Sequence, residues 1–114
     1  EDEPEEKPQK IYFREIIYIH KKKMGKNAEY VTFQGTFRER ISLSRLMEKL
    51  DSKEFFLVDR SNIISLRNVR GIQDNMIYME EDHKLELNQY RIDAAKKKID
   101  DYWREREWNG KSTS

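Results

Sequence analysis

The sequence predicts a mainly β domain with short helices and one long C-terminal α-helix. Runs of β-branched and aromatic residues fill the middle of the chain, a short amphipathic helix interrupts them, and apolar residues recur at helical spacing near the C terminus. The 114 residues allow a single domain with a modest core. Although 39% of the residues are charged, five Phe, six Tyr and two Trp indicate a folded chain rather than a disordered one.

Five segments have the composition of strands, and turn-forming residues separate them. The first segment, IYFREIIYIH, is expected to break near Arg14 and Glu15. The run KKKMGKNAE then interrupts the pattern, so the first two strands predict a hairpin with a basic tip. Gly35 marks a bulge or a turn in the second strand. The predicted strands span residues 11–20, 30–37, 55–66, 72–79 and 85–87, with residues 67–71 and 80–84 as the connections between the last three.

Two helices complete the prediction. Ser42 or Ser44 can cap a helix of about two turns with leucines at three-to-four spacing, which ends at residues 51–52. The C-terminal helix is defined by one recurring face, and Asn109 with Gly110 is expected to end it. The residues of that face are Ile92, Ala95, Ile99, Tyr102 or Trp103, and Arg106.

Charge divides the chain unevenly. Residues 1–10 hold five acids and two lysines, a net charge of −3. Because the whole chain has a net charge of +1, residues 11–114 carry +4. Both prolines also lie in this segment. We therefore predict an acidic linker or tail at residues 1–10, a domain at residues 11–108 and a disordered tail at residues 109–114.

The chain offers little for enzyme chemistry. It has two histidines and no cysteine, which excludes a thiol nucleophile, a disulfide framework and a cysteine-ligated zinc site. The run EEDH at residues 80–83 could hold a cation, but a solvated acidic turn is the simpler interpretation, and a metal-dependent enzyme ranks far behind. Four isolated glycines form no phosphate-binding loop. We predict a protein that is not an enzyme and needs no cofactor or metal.

No apolar run is long enough to span a bilayer, and no signal-peptide pattern opens the sequence. The lack of cysteine fits a reducing compartment. A soluble cytoplasmic protein without membrane contact is therefore expected.

Four lysines crowd the segment between the first two predicted strands. Their mutual repulsion favours an anionic partner over a structural role, and a solubilising loop is the alternative. These residues are Lys21, Lys22, Lys23 and Lys26.

A second cationic group stands between two apolar runs in EFFLVDRSNIISL. Beside Arg60, Ser61 and Asn62 offer the hydroxyl and amide groups that commonly hold phosphates. An ion pair with Asp59 is the alternative interpretation of Arg60. Further cations follow at Arg67, at Arg70 and, where the last strand meets the long helix, at Arg91 beside Tyr90. The residues thus predict a small domain that presents basic loops to a polyanion.

The order of the elements adds a resemblance. The last helix is preceded, in chain order, by EIIYIH, a basic tip, YVTFQGTF, SLSRLMEKL, EFFLVDRSNIISLRNVRGI, MIYM and LELNQYR. This order resembles the LytTR DNA-binding domain of bacterial response regulators from about residue 13 to residue 99, and FF-x-x-x-R-S-x-x-I-x-L-x-x-V-x-x-I is its most specific part. The sequence is most similar to regulators of the accessory-gene, competence and bacteriocin type, which answer peptide pheromones through a partner histidine kinase.

The resemblance implies an elongated arrangement of small β-sheets that reads double-stranded DNA with inter-strand loops in successive major grooves. Arginine can contact guanine O6 and N7 together, so Arg91 is the first candidate for base reading and Arg60 the second, with Ser61 on a phosphate. The implied DNA-binding residues are Lys21, Lys22, Lys23, Lys26 and Asn27 in the first loop, Asp59, Arg60 and Ser61 at the second contact, Arg67 downstream, and Gln89, Tyr90 and Arg91 at the third.

Three positions depart from the pattern of that family. Asp59 replaces its usual histidine, Ser65 its usual asparagine, and Gln89 its common serine. Because an acidic side chain is repelled by phosphate, Asp59 is expected to orient Arg60 or to accept from cytosine N4. The mode of contact can therefore be carried over, but the preferred DNA sequence cannot.

The resemblance also implies partners. A receiver domain is expected upstream in the full-length protein, with residues 1–10 as the interdomain linker, and a homodimer is expected on repeated half-sites; a membrane-tethered or stand-alone regulator is the alternative. A different class of function also stays open. In it, Trp103, Trp108 and the exposed strand edges form a protein-interaction module, and the basic loops only aid solubility.

Overall fold

The computed structural model describes residues 11–112, with side chains as far as residue 106. Within residues 11–112, eight strands form two antiparallel sheets, and two α-helices pack against them. The strands are β1 Ile16–Lys21, β2 Ala28–Thr32, β3 Gly35–Glu39, β4 Phe55–Leu57, β5 Asn62–Ser65, β6 Val69–Gln73, β7 Met76–Met79 and β8 Lys84–Glu86, and the helices are α1 Leu43–Lys49 and α2 Gln89–Ser112. The predicted mainly β fold with a C-terminal helix is confirmed.

The larger sheet has the strand order β3-β2-β1-β5-β4, and the smaller has β6-β7-β8. The interior strand β5, which lies between β1 and β4, is buried along its whole length. Because side chains alternate across a strand, Ile63 and Ile64 face opposite sides of the sheet. Ile63 belongs to the core under α1 and Ile64 to the core shared with the smaller sheet and α2. The larger sheet therefore packs against a core on each face, and the loops at its two ends lie outside these cores.

The helices begin where side-chain caps satisfy the first amides. Ser42 Oγ accepts from the Arg45 amide at 3.1 Å, which makes Ser42 the cap of α1. Asn88 Oδ1 accepts from the Arg91 amide at 2.9 Å and starts α2 in the same way. On α2, Ile92, Ala95 and Tyr102 are buried while Trp103 is 41% exposed, so Tyr102 is the core member of the predicted pair.

Two predicted strands are wrong because each is a hairpin, and the turn expected at Gly35 divides a third into two strands. Residues 55–66 form β4 and β5, since the Val58 amide bonds to the Asn62 carbonyl at 3.0 Å and the chain reverses between them. Residues 30–37 reverse at Gly35, whose φ of 127° suits a turn. Residues 72–79 reverse at Asp74, and β6 already begins at Val69, within the predicted connection 67–71.

Other boundaries follow the sequence more closely. The break near Arg14 and Glu15 is a short 3-10 helix, Phe13–Glu15, and the acidic connection contains another, Glu80–Asp82.

The predicted helix stop at Asn109 and Gly110 is wrong, because α2 continues to Ser112. A single glycine in a last turn costs only about 1 kcal/mol of helix stability. The acidic segment at residues 1–10 and the last two residues lie outside the described part of the chain.

Candidate nucleic-acid interface

Three separate segments of the chain meet at one end of the larger sheet. Strand β1 pairs with β5 so that His20 lies opposite Asn62, and the Lys21 amide donates to the Ser61 carbonyl at 2.9 Å. The loop after β1 therefore starts beside the β4–β5 turn. On the other side of this turn, Arg91 Nη1 donates to the Val58 carbonyl at 3.1 Å, which brings the start of α2 against it. We call these segments, residues 21–27, 58–61 and 88–91, the lysine-loop end.

The lysine loop is closed by a tight turn. The Gly25 amide donates to the Lys22 carbonyl at 2.9 Å, and a Cβ at residue 25 would lie 3.2 Å from Lys22 Cβ, so the close approach favours glycine there. The predicted contact residues Lys22, Lys23, Lys26 and Asn27 are exposed, and Lys21 is half-buried. Within residues 11–106, none of the four lysines has an acidic side chain within ion-pair distance.

The β4–β5 turn is held by Asp59. Its Oδ1 accepts from the Ser61 amide at 2.8 Å and from Asn62 Nδ2 at 3.1 Å, which is an Asx-type turn with a second bond. Asn62 Oδ1 in turn contacts His20 Nδ1 at 2.9 Å. Both carboxylate oxygens of Asp59 therefore accept hydrogen bonds within the protein, and the alternative interpretation of Arg60, an ion pair with Asp59, is wrong for these described side chains. Asp59 shapes the turn, and its contact with DNA stays a prediction.

Arg60 and Ser61 are positioned by this turn. Arg60 is exposed and has no hydrogen-bond or ion-pair partner among residues 11–106. The Ser61 main chain is tied to Asp59 and Lys21, whereas its hydroxyl makes no bond within the same part of the chain. The prediction that the Asn62 amide is free for a phosphate is wrong, because Asn62 is 8% exposed and bonds to Asp59 and His20.

The start of α2 supplies the third segment. Arg91 is half-buried and uses one guanidinium N–H on the Val58 carbonyl; four further N–H groups of the five are available to another acceptor. Gln89 Nε2 is bonded to Asp93 at 2.9 Å. Tyr90 is 80% exposed. The buried face of α2 anchors this segment through Ile92, which is fully buried.

Arg67 does not join this group. It lies in the 3-10 helix Leu66–Asn68 after β5, at the opposite end of the larger sheet. There it lines a small cavity of about 200 Å³ together with Arg14, Glu54 and Phe55. We call this region, residues 13–15, 33–34, 54 and 66–68, the Glu54 end; Tyr102 and Arg106 of α2 bind to it through Glu54. Strand β1, with six residues, separates the two ends by about 20 Å.

Three buried or half-buried tyrosines have raised pKa values. Burial is the main cause for each. A second cause also raises each pKa. It is the charge of Glu29 for Tyr18, a hydrogen bond to Glu39 for Tyr30, and a hydrogen bond to Glu54 for Tyr102. These phenols lie on sheet strands or face the Glu54 end. Their shifts therefore reflect packing and not the three segments of the lysine-loop end.

The acidic run at residues 80–83 forms the predicted turn, and His83 packs edge-on against Tyr18 with 5.5 Å between ring centroids. Among the described residues, no group of three His, Asp or Glu side chains is arranged to hold a metal ion. Within residues 11–112, no helix is both long and apolar enough to cross a membrane.

Comparison with known proteins identifies the family. The sequence model described as the LytTr DNA-binding domain matches residues 7–100. The chain belongs to the LytTR DNA-binding domain family. A solved structure with the same fold is the LytTr DNA-binding domain of a putative methyl-accepting/DNA response regulator from Bacillus cereus, with a TM-score of 0.69, 17% identity, and coverage of 78% of this chain and 84% of that one. No curated protein matches the chain.

This membership confirms the predicted family and its fold, and it makes this chain a DNA-binding domain of the LytTR type. The match ends at residue 100, so the last part of α2 lies beyond it. That part includes Trp103, which lines a groove of about 540 Å³ with Val69, Ile72 and Ile99.

The sequence alone does not identify the residues that hold the three segments of the lysine-loop end in place. His20 and Asn62 connect β1 to the β4–β5 turn, and Asn88 caps the helix that carries Arg91. Asn88 follows a strand and precedes an amphipathic helix, which is a recognisable cap signal. No local signal pairs His20 with Asn62, because they are 42 residues apart and meet only through strand pairing.

Proposed function

We propose that this domain is the output domain of a transcriptional response regulator and reads double-stranded DNA with the three segments of the lysine-loop end. The observation that carries the proposal is their junction. The bonds from Lys21 to Ser61 and from Arg91 to Val58 bring the lysine loop, the turn that carries Arg60 and the start of α2 side by side, although they are far apart in sequence.

The chemistry of each segment suggests its role. The lysines of the first loop are point charges suited to phosphates, and each phosphate they neutralise releases a counterion. Arg60 and Arg91 carry planar guanidinium groups suited to guanine O6 and N7 in the major groove. The Ser61 hydroxyl suits a phosphate. Because the main chain of the turn and the cap of α2 are fixed by hydrogen bonds, these side chains would meet DNA with little backbone rearrangement.

Membership of the LytTR family also suggests a neighbouring domain, a second copy on DNA and a class of regulated genes. An upstream receiver domain would be joined through residues 1–10, and two copies would bind repeated half-sites in the cytoplasm. A regulon that answers peptide pheromones follows from the resemblance to accessory-gene, competence and bacteriocin regulators.

The test is selection of bound sequences from a library of randomised double-stranded DNA, followed by affinity measurements on the selected site and a scrambled site over a range of salt. We expect a motif whose half-site centres lie about one helical turn, 10–10.5 bp, or a multiple apart. Uniform weak binding that disappears at moderate salt would contradict the proposal.

A protein-interaction surface is the second candidate function, and it is compatible with the first. The groove lined by Trp103, Ile72 and Ile99 supports it, since Trp103 is 41% exposed and lies beyond the family match. The side chain of Trp108 lies outside the described side chains. Loss of a partner on Trp103→Ala, with unchanged DNA binding, is the outcome that this second function predicts.

A further inference from the structure

One apolar side chain stands out among the cations of the lysine loop. Met24 is 91% exposed, the highest value among the exposed large hydrophobic residues of the described chain. Tyr90, also at the lysine-loop end, follows with 80%, whereas the others lie between 38% and 52%. Single exposed apolar side chains are ordinary on protein surfaces. Met24 and Tyr90, however, are both almost fully exposed within one small cationic region, which favours a binding role for this region.

The backbone under Met24 is fixed. Met24 occupies the third position of the turn from Lys22 to Gly25, closed by the bond between the Gly25 amide and the Lys22 carbonyl. The base of the loop is fixed by the bond from Lys21 to Ser61. The side chain is therefore presented from the tip of a defined turn, with Lys22, Lys23 and Lys26 around it.

The surrounding charges decide which surface Met24 would meet. Lysines on both sides bind phosphates and draw the loop to a polyanion. In the major groove, the apolar group that a base pair offers is the thymine 5-methyl. A thioether chain is flexible and polarizable, and it packs well against such a group.

We propose that Met24 is a specificity-determining residue that contacts a thymine methyl in the major groove. This inference rests on the proposed function and deepens it. It assigns an A·T preference at one position of the operator to the first loop, which the lysines cannot provide because they contact phosphates.

The test replaces thymine by uracil, one position at a time, in the operator selected from randomised DNA. Uracil lacks only the methyl group, which lies in the major groove. For the unchanged protein, one position in each half-site should lose about fourfold in affinity, the value expected for burying one methyl group. Met24→Gln should bind the thymine and uracil forms of that position equally, whereas Met24→Leu should keep the difference.

Phe33→Ala serves as the control, because Phe33 is an exposed hydrophobic residue at the Glu54 end. It should leave every uracil effect unchanged. The inference is overturned if no thymine position is sensitive, if the sensitive position stays sensitive in Met24→Gln, or if Met24→Gln weakens operator and scrambled DNA by the same factor. Failure to select any operator would instead remove the proposed function, so the two failures can be told apart.

Discussion

The two ends of the larger sheet use their charged side chains in opposite ways. At the Glu54 end, Arg106 forms an ion pair with Glu54 and lies over the Tyr102 ring at 3.7 Å, and the Tyr102 hydroxyl donates to Glu54 at 3.0 Å. At the lysine-loop end, four lysines and Arg60 have no such partner among the described side chains.

This difference separates charges that stabilise the fold from charges that have no ion-pair partner among the described side chains and that we propose to bind DNA. Arg106 and Glu54 neutralise each other and attach α2 to the sheet. The carboxylate at the other end, Asp59, accepts hydrogen bonds from the uncharged Ser61 and Asn62 amides and forms no ion pair with a described side chain. Cations left together without counter-charges repel one another, and a polyanion relieves this repulsion.

The largest effect on DNA binding is expected from Arg91→Ala. If Arg91 reads a guanine with two hydrogen bonds, its loss should cost about 1–3 kcal/mol on the selected operator and much less on scrambled DNA. Titration of both DNAs by fluorescence anisotropy measures this difference. Arg104→Ala is the matched control, since Arg104 lies on the same helix and pairs with Asp100 at 2.7 Å. Equal losses on the two DNAs would make Arg91 a phosphate contact.

At the Glu54 end the expected effect is on stability. Glu54→Ala leaves the Tyr102 hydroxyl and the Arg106 guanidinium without their acceptor, which should lower the free energy of unfolding by about 1–2 kcal/mol. Urea denaturation measures it. The affinity for the operator, measured where the variant is folded, should stay within about twofold of the unchanged protein, because the site is about 20 Å away. A large loss of affinity would couple the two ends.

Paired substitution of Lys22 and Lys23 by Ala should change the salt dependence. If both contact phosphates, the slope of log affinity against log salt should become less steep by about two units. Lys49→Ala with Lys53→Ala is the control pair, since both residues are exposed and precede β4. The same slope in both double variants would remove the lysine loop from the interface.

The smallest effect is expected at Arg67. Although the sequence places Arg67 among the DNA-binding candidates, it lies at the Glu54 end. Arg67→Ala should therefore change operator affinity by less than about twofold, whereas Arg60→Ala should cost about 1–3 kcal/mol on the operator. A loss for Arg67→Ala as large as that for Arg60→Ala would show that DNA reaches both ends.

Features that depend on a local sequence pattern are predictable from the sequence, whereas the turns within apolar runs are not. The cap at Ser42, the apolar face of α2 and the basic hairpin tip are local patterns, and the structure confirms them. The hairpin within residues 55–66 was missed because its strands and turn form one apolar-rich run, and the reversal depends on the Asp59 bonds.

The candidate site was predicted residue by residue but not as an assembly. A family resemblance can nominate Lys22, Arg60 and Arg91, yet only the pairing of β1 with β5 and the bond from Arg91 to Val58 bring them together. The same pairing determines that Arg67, seven residues after Arg60, lies at the other end of the strand. Proximity along the chain was a poor guide because β5 is extended.

We propose that DNA contacts the lysine-loop end and not the Glu54 end. Backbone amide hydrogen exchange, measured with and without the selected operator, tests it most directly. We expect DNA to slow exchange at residues 21–27, 58–61 and 88–91 and to leave residues 13–15, 33–34 and 66–68 unchanged. Protection at the Glu54 end with none in the lysine loop would contradict the account.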